Sequence, residues 1–275
     1  MRAATVHLRI VLMAVLMAAS AACTTTTSTR TGPLPAPELS KDRVTSSDEP
    51  DAERRARVRL ELAGAYFGRG QMTTALDEVK QALAANPNLG AAHNLRGLIY
   101  ASLGDHPLAE ESFRRALQLD PRDADVMQNY GWYLCQQGRH AEAEALFLRA
   151  LGVPQYRDAA RTLLTLGICQ ARQTKYPEAE ASLRRAYDLE PENPSIAVNL
   201  SEVLYRQGQY DDARALIRRV NASTDVSNAN TLWLAARIER RMGNAQGIQV
   251  LGKQLRERFP NAPETLALER GKFDE

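Results

Sequence analysis

The four histidines of this chain are the side chains best suited to metal binding or acid–base catalysis, yet their spacing matches no metal-ligand pattern. They are His7, His93, His106 and His140. The sequence contains no Gly-x-Ser-x-Gly motif of the kind that presents a nucleophilic serine. Residues 247–254 resemble a phosphate-binding loop, but Gln254 replaces the Ser or Thr that binds Mg²⁺, and no buried strand precedes it. The sequence therefore predicts no enzyme, metal site, cofactor or small-molecule substrate.

Cys23 ends a segment that is typical of an exported protein. A basic start is followed by the apolar stretch "IVLMAVLMAA", which is too short to span a bilayer, and then by "SAAC". The segment resembles a bacterial lipoprotein signal, which implies a signal peptide over 1–22 and lipid on Cys23. Cleavage by an ordinary signal peptidase after "ASA" is the alternative. Residues 23–50, rich in Thr, Ser and Pro, are predicted to be a disordered tether.

Small residues recur about every 34 positions, which is the period of the tetratricopeptide repeat (TPR). Each such unit is a pair of antiparallel helices, and stacked units form a solenoid that holds other proteins. The sequence therefore predicts an all-α fold over 51–275, a right-handed superhelical solenoid of about six TPR helix pairs. The repeats are expected near 56–89, 90–123, 124–157, 160–193, 194–227 and 229–262. The equivalent alanines are Ala75, Ala109, Ala143, Ala179 and Ala213.

Three further sets of residues support this prediction. A small residue in the first helix lets the second helix approach closely, as at Ala63, Gly97, Gly131 and Gly167. Glycine suits the left-handed turn between the helices, as at Gly70, Gly104, Gly138 and Gly208. Proline stops the second helix, as at Pro87, Pro121, Pro191 and Pro260. The last repeat is degenerate, because Gly252 stands where an aromatic residue is usual.

Cys135 and Cys169 fall in the first helices of the third and fourth repeats, which are expected to pack side by side. An even pair in an oxidising compartment favours a disulfide. Their positions relative to Gly131 and Gly167 differ, however, so helix geometry does not guarantee a suitable Cα separation. Two reduced cysteines that pack as small apolar side chains are the alternative.

The first helices of a TPR array line a groove, and one face of them carries an apolar stripe in this chain. An exposed stripe of this kind marks a protein-binding site, and nearby asparagines suit the main chain of a ligand. The alternative is that some of these positions, Leu164 and Ile168 above all, belong to the core. The predicted binding residues are Phe67, Asn94, Leu98, Gln128, Asn129, Trp132, Ile168, Asn199 and Tyr205. Basic and acidic residues number 35 and 33 and are interspersed, so no nucleic-acid partner is expected.

Particular strings in the repeats point to one family. They are "NYGWYLCQQGRHAEAEALFLRAL", "PQYRDAARTLLTLGICQARQ", "SIAVNLSEVLYRQGQYDDARALIRRV" and "LWLAARIERRMGNAQGIQVLGKQLRERFPNAPE". With the lipoprotein signal and six repeats, the chain resembles the PilF/PilW family of type IV pilus biogenesis and stability lipoproteins.

The resemblance implies a pilotin that binds the secretin subunit of the type IV pilus and promotes its localisation and multimerisation. Since Thr24 rather than Asp follows the lipidated cysteine, resemblance to sorted lipoproteins implies the periplasmic face of the outer membrane. The alternative function is a general periplasmic TPR adaptor for cell-envelope or peptidoglycan enzymes.

Overall fold

The computed structural model describes residues 51–273, and regular structure within them is entirely α-helical. The helices form six consecutive pairs followed by one short helix. Their bounds are α1 Asp51–Gly68, α2 Met72–Ala85, α3 Gly90–Leu103, α4 His106–Leu119, α5 Ala124–Gln136, α6 His140–Leu151, α7 Ala159–Arg172, α8 Tyr176–Leu189, α9 Pro194–Arg206, α10 Tyr210–Asn221, α11 Ala229–Arg241, α12 Ala245–Arg258 and α13 Pro263–Glu269.

Neighbouring helices stack in a regular order that repeats along the chain. Each odd-numbered helix from α1 to α11 packs against its own partner, and the odd-numbered helices also pack against one another in succession. Each even-numbered helix from α2 to α10 contacts the first helix of the next pair. This connectivity is that of the predicted solenoid of six helix pairs, with the odd-numbered helices forming one continuous layer.

Glycines in the first helices let a bulky side chain of the second helix reach the backbone. A Cβ atom at Gly131 would lie 2.9 Å from Phe147 Cε1, and one at Gly97 would lie 2.8 Å from Phe113 Cδ1. Phe113 and Phe147 are both fully buried. The glycines of the repeat pattern therefore allow the phenylalanine ring of the second helix to contact the backbone of the first helix. Any side chain at these positions would displace that ring.

The turns inside the helix pairs depend on left-handed backbone. Four predicted turn glycines have φ between 74° and 78°, namely Gly70, Gly104, Gly138 and Gly208. The fourth pair has Thr174 at the equivalent place, with φ at 59°. Because a β-branched residue rarely adopts this conformation, the turn between α7 and α8 is strained where the others are relaxed.

The short helix α13 covers the end of the array and explains its degenerate last repeat. A Cβ atom at Gly252 of α12 would lie 2.9 Å from Leu268 Cδ2 of α13. Beyond α13, Phe273 packs on Trp233 with ring centroids 5.0 Å apart. The aromatic residue missing at Gly252 is therefore replaced by a side chain from outside the repeat, which closes the apolar end of the solenoid.

The predicted signal peptide over 1–22 and tether over 23–50, including Cys23, lie outside the described residues. Within 51–273 no helix combines the length and the apolar character that a membrane span requires.

Candidate protein-binding face

The odd-numbered helices α1 to α11 present a surface that we call the first-helix face. Most predicted binding residues lie partly exposed on it. They are Phe67, Asn94, Leu98, Asn129, Trp132, Ile168 and Asn199. Leu164, like Ile168, is only partly buried, so neither is a fully enclosed core residue. The partly exposed apolar side chains are spread over α1, α3, α5 and α7.

Gln128 departs from the prediction that it lines a binding groove. Its exposed fraction is 2%. Helix α5 packs against α3, α4, α6 and α7, and nine of its thirteen residues are buried as a result. Gln128 is therefore enclosed by these neighbours, whereas the equivalent Asn94, Leu164 and Val198 of other first helices are partly exposed.

Tyr205 is also a correction, since its exposed fraction is only 6%. The guanidinium of Arg237 on α11 lies 4.6 Å from the centroid of the Tyr205 ring and covers it. Arg237 Nη1 lies 3.5 Å from Glu202 Oε2 on α9, which holds the guanidinium over that helix. Tyr205 therefore supports an arginine on this face and offers little ring surface of its own.

Two of the three predicted asparagines are linked across the first-helix face. Asn129 Nδ2 donates to Asn94 Oδ1 at 3.3 Å, which joins α5 to α3. Arg161 on α7 donates from Nη2 to Asn129 Oδ1 at 3.3 Å. Asn199, by contrast, donates to the Ser195 carbonyl of its own helix at 2.8 Å. Asn94 and Asn129 thus form a polar line over three helices, next to the apolar side chains.

Trp132 lies at the centre of the described array and is half-buried. The guanidinium of Arg172 on α7 is 5.1 Å from its ring centroid, a cation–π distance. Trp132 packs against the buried cluster of the second and third repeats. A partly exposed tryptophan that packs against the core is the kind of side chain that dominates binding energy in protein interfaces.

Cys135 and Cys169 are joined by a disulfide in the structure, with their Cα atoms 5.9 Å apart. This separation lies within the usual range, so α5 and α7 accommodate the bond at their normal spacing. His140 Nδ1 lies 3.8 Å from the Cys135 sulfur and 3.5 Å from the Cys169 sulfur. The spacing of the histidines alone does not predict this Cys–His–Cys cluster, because His140 meets cysteines of two different repeats. Metal binding would need free thiolates, which the disulfide does not offer.

Comparison with known proteins identifies the array. Tetratricopeptide repeat models match residues 88–155 and 170–235. The crystal structure of PilW, described as a widely conserved type IV pilus biogenesis factor, has 32% sequence identity and a TM-score of 0.73. The similarity covers 78% of this chain and 98% of the PilW chain. The chain belongs to the PilF/PilW family. The predicted resemblance and the predicted TPR solenoid are thereby confirmed.

Other PilF/PilW relatives agree with this assignment. The solved structure of Pseudomonas aeruginosa PilF has 25% identity and a TM-score of 0.72, covering 81% of this chain and 100% of that one. The Type IV pilus assembly protein PilF of Pseudomonas aeruginosa is 28% identical over 78% of this chain and 84% of its own length. The similarity therefore includes nearly the whole array of these relatives.

The first-helix face of this PilF/PilW family member also carries arginines that sequence analysis did not single out. Helices α7, α9 and α11 contribute them, and Arg172, Arg206 and Arg241 occupy equivalent positions, two residues before the turn residues Thr174, Gly208 and Gly243. They are Arg161, Arg172, Arg206, Arg237, Arg240 and Arg241. Extending the groove register from Trp132 and Tyr205 into the degenerate last repeat would have found two of them, Arg237 and Arg240.

Proposed function

We propose that this chain is a lipoprotein of the outer membrane that binds the type IV pilus secretin. Lipid on Cys23 holds it on the periplasmic face, and the first-helix face binds a segment of the secretin. Bound in this way, it promotes the localisation of the secretin and its assembly into multimers. The chain acts as a non-catalytic scaffold in this function.

The similarity to PilW over 98% of that structure is the observation that supports the proposal most. The descriptions of PilW and of the type IV pilus assembly protein PilF name type IV pilus biogenesis and assembly. The partly exposed stripe of Leu98, Trp132 and Ile168 supports a protein ligand, because it is an apolar surface on a rigid face. Its neighbours Asn94 and Asn129 add polar groups that suit the main chain of such a ligand.

The test is the amount and location of secretin multimers in a strain that lacks this protein. Complementation with the wild-type chain should restore multimers in the outer-membrane fraction, whereas Cys23→Ala should not restore them there. Thr26→Ala in the same segment is the matched control and should behave as wild type. Unchanged secretin multimers in the deletion strain would exclude the pilus function and leave the general periplasmic adaptor.

The face itself is tested by Trp132→Ala and by Leu98→Ala in the same strain. We expect Trp132→Ala to reduce secretin co-purification at least about tenfold, since a central aromatic anchor contributes about 2 kcal/mol or more to binding, and Leu98→Ala to reduce it by a smaller factor. Leu148→Ala is the control, because Leu148 is an exposed apolar residue of the second helix α6. Equal effects of Leu148→Ala and Trp132→Ala would exclude a specific role for the first-helix face.

A further inference from the structure

The charge of the first-helix face changes sharply along the array. At the positions that face outward, α7, α9 and α11 carry six arginines and one acidic residue, Glu202. At the equivalent positions, α1, α3 and α5 carry one arginine, Arg57, and one aspartate, Asp125. The first three repeats therefore offer a neutral and partly apolar surface, whereas the last three offer a basic one.

Contacts between neighbouring helices hold these arginines on the face. Arg172 lies over Trp132, and Arg237 lies over Tyr205. Arg206 Nε donates to Glu202 Oε1 at 2.7 Å within α9. Arg241 Nε lies 3.5 Å from the Tyr205 hydroxyl. Stacking on rings and bonding across helices restrict the guanidinium groups, so a ligand meets charges that are already positioned.

Among the residues that the structure describes, Glu202 is the acidic side chain that pairs with arginines of this part of the face. Glu202 pairs with both Arg206 and Arg237. Arg161 is near Asp125. Burial and the neighbouring carboxylates raise the pKa of Asp125 overall, and Arg161 offsets only part of this rise. Arginines therefore outnumber acidic residues at the outward positions of the described helices α7, α9 and α11.

The guanidinium group of Arg237 is buried, but its hydrogen bonds to the rest of the protein are incomplete. Its exposed fraction is 8%, and its Nε atom has no hydrogen-bond partner among the described residues. A largely buried guanidinium whose hydrogen bonds are incomplete costs stability. Among the described residues, the ion-pair partner of Arg237 is Glu202, which Arg237 shares with Arg206.

We infer that the part of the first-helix face formed by α7, α9 and α11 binds an extended protein segment that carries aspartate or glutamate between apolar residues. Leu164, Ile168 and Val198 lie partly exposed beside the arginines and would contact the apolar residues of the segment. This mixture of apolar and basic groups distinguishes a peptide ligand from a purely polyanionic one. The inference rests on the proposed function in one respect: the segment would belong to the bound secretin.

A synthetic probe tests the inference without the secretin. The probe is a fluorescein-labelled peptide of twelve residues with alternating glutamate and leucine, and its reference replaces every glutamate with glutamine. Binding to the detergent-purified full-length chain is measured by fluorescence anisotropy at low and at physiological salt. We expect the acidic peptide to bind at least about tenfold more tightly, with a preference that decreases as salt increases.

The variant Arg172→Glu/Arg206→Glu should weaken binding of the acidic peptide by about tenfold to a hundredfold. Arg185→Glu/Arg256→Glu is the matched control, because it makes the same charge change at exposed positions of the second helices α8 and α12. Equal weakening by the two variants would overturn the inference, as would equal binding of the acidic and glutamine peptides. Equally tight binding of a single-stranded oligonucleotide of the same charge would also overturn it. Far-ultraviolet circular dichroism confirms that both variants remain folded.

Secretin co-purification with the same two variants separates this inference from the proposed function. Loss with Arg172→Glu/Arg206→Glu alone supports both. Secretin binding that is insensitive to those arginines but lost in Trp132→Ala overturns the inference and leaves the proposed function standing. Binding of the acidic peptide without any secretin binding contradicts the proposed function and leaves the arginine site in place.

Discussion

At the scale of single residues, the fold depends on where a side chain is absent. Gly97, Gly131 and Gly167 each lie against the packing residue of the second helix, and a Cβ atom at Gly167 would come within 2.6 Å of Leu183 Cγ. The interior is close-packed, so these neighbours have little room to move. This feature was predictable from the sequence, because the spacing of small residues in TPRs reflects that contact directly.

Gly131→Ala should destabilise the array by about 2–3 kcal/mol, because the new methyl group would displace the Phe147 ring. Gly64→Ala is the matched control: nothing lies within 4 Å of a Cβ atom there, and the position is helical. It should be neutral or stabilise by about 0.5–1 kcal/mol through helix propensity. Urea denaturation measures both, and similar effects at the two glycines would contradict this account.

The burial of Gln128 and Tyr205 could not be predicted from the sequence in the same way. Local helical register predicts that both residues lie on the binding face. What encloses them is set by neighbours far along the chain, Arg237 in the case of Tyr205. Exposure in a solenoid depends on which side chains the adjacent repeats contribute, and a repeat pattern carries no information about those variable positions.

At the scale of helices and turns, the helix pairs share one sequence pattern, but the backbone strain in their turns differs. Thr174 adopts the left-handed conformation that glycine adopts in the turns of the neighbouring repeats. Its backbone amide donates to the Ala171 carbonyl at 2.9 Å, which fixes the turn. The turn is thus formed in spite of its residue type.

Thr174→Gly should stabilise the protein by about 1 kcal/mol, because it removes the left-handed strain while retaining the turn. The reciprocal change Gly138→Thr should destabilise by a similar amount, since Gly138 has φ at 75° in the equivalent turn. Thermal unfolding of both variants provides the comparison. A lower melting temperature for Thr174→Gly would show that unfolded-state entropy outweighs the strain.

Glu110 links three elements on the side of the second helices. Its carboxylate accepts hydrogen bonds from Arg139 Nη1 at 2.8 Å and from the Tyr130 hydroxyl at 3.0 Å. Burial alone would raise the pKa of Glu110, but the hydrogen bonds from Arg139 and Tyr130 and the charge of Arg114 together lower it. Because the folded-state pKa is lowered, ionised Glu110 stabilises the fold at neutral pH, and this contribution is lost as the pH falls through the folded-state pKa.

Glu110→Gln should therefore destabilise the protein by about 1–2 kcal/mol at pH 7 and by much less at an acid pH below the folded-state pKa of Glu110, where the wild-type carboxyl is also protonated. Glu178→Gln, at an exposed position of α8, is the control and should have little effect at either pH. Urea denaturation at the two pH values measures the difference. A pH-independent loss would show that Glu110 acts through packing rather than charge.

At the scale of the whole molecule, stability in an array of repeats is a sum of local terms between neighbours. The disulfide adds a covalent link between the third and fourth of the six helix pairs. The period of the repeat predicted that the two cysteines could meet, but bonding was left open because their offsets within the repeats differ. Helix α13 was missed altogether, because it follows the last unit and has no repeat signature.

Replacing Cys135 and Cys169 together by serine should cost about 3–4 kcal/mol, since the bond closes a loop with a sequence separation of 34 residues. Guanidinium denaturation of the oxidised wild-type chain and of the double variant measures the loss. In denatured wild-type protein, thiol titration should find two additional thiols after reduction. No change in thiol number with reductant would show that the cysteines are not bonded.

The position of the disulfide also determines how the array responds to mechanical tension. A pull applied between the two ends of the solenoid passes across the bond from Cys135 to Cys169 and bypasses the backbone between them. That segment, which includes all of α6, carries no load until the bond is reduced. Stretching of single oxidised molecules should therefore release about 110 Å less contour length than stretching of reduced ones. The outer repeats would extend in both cases, while the centre of the array lengthens only after reduction.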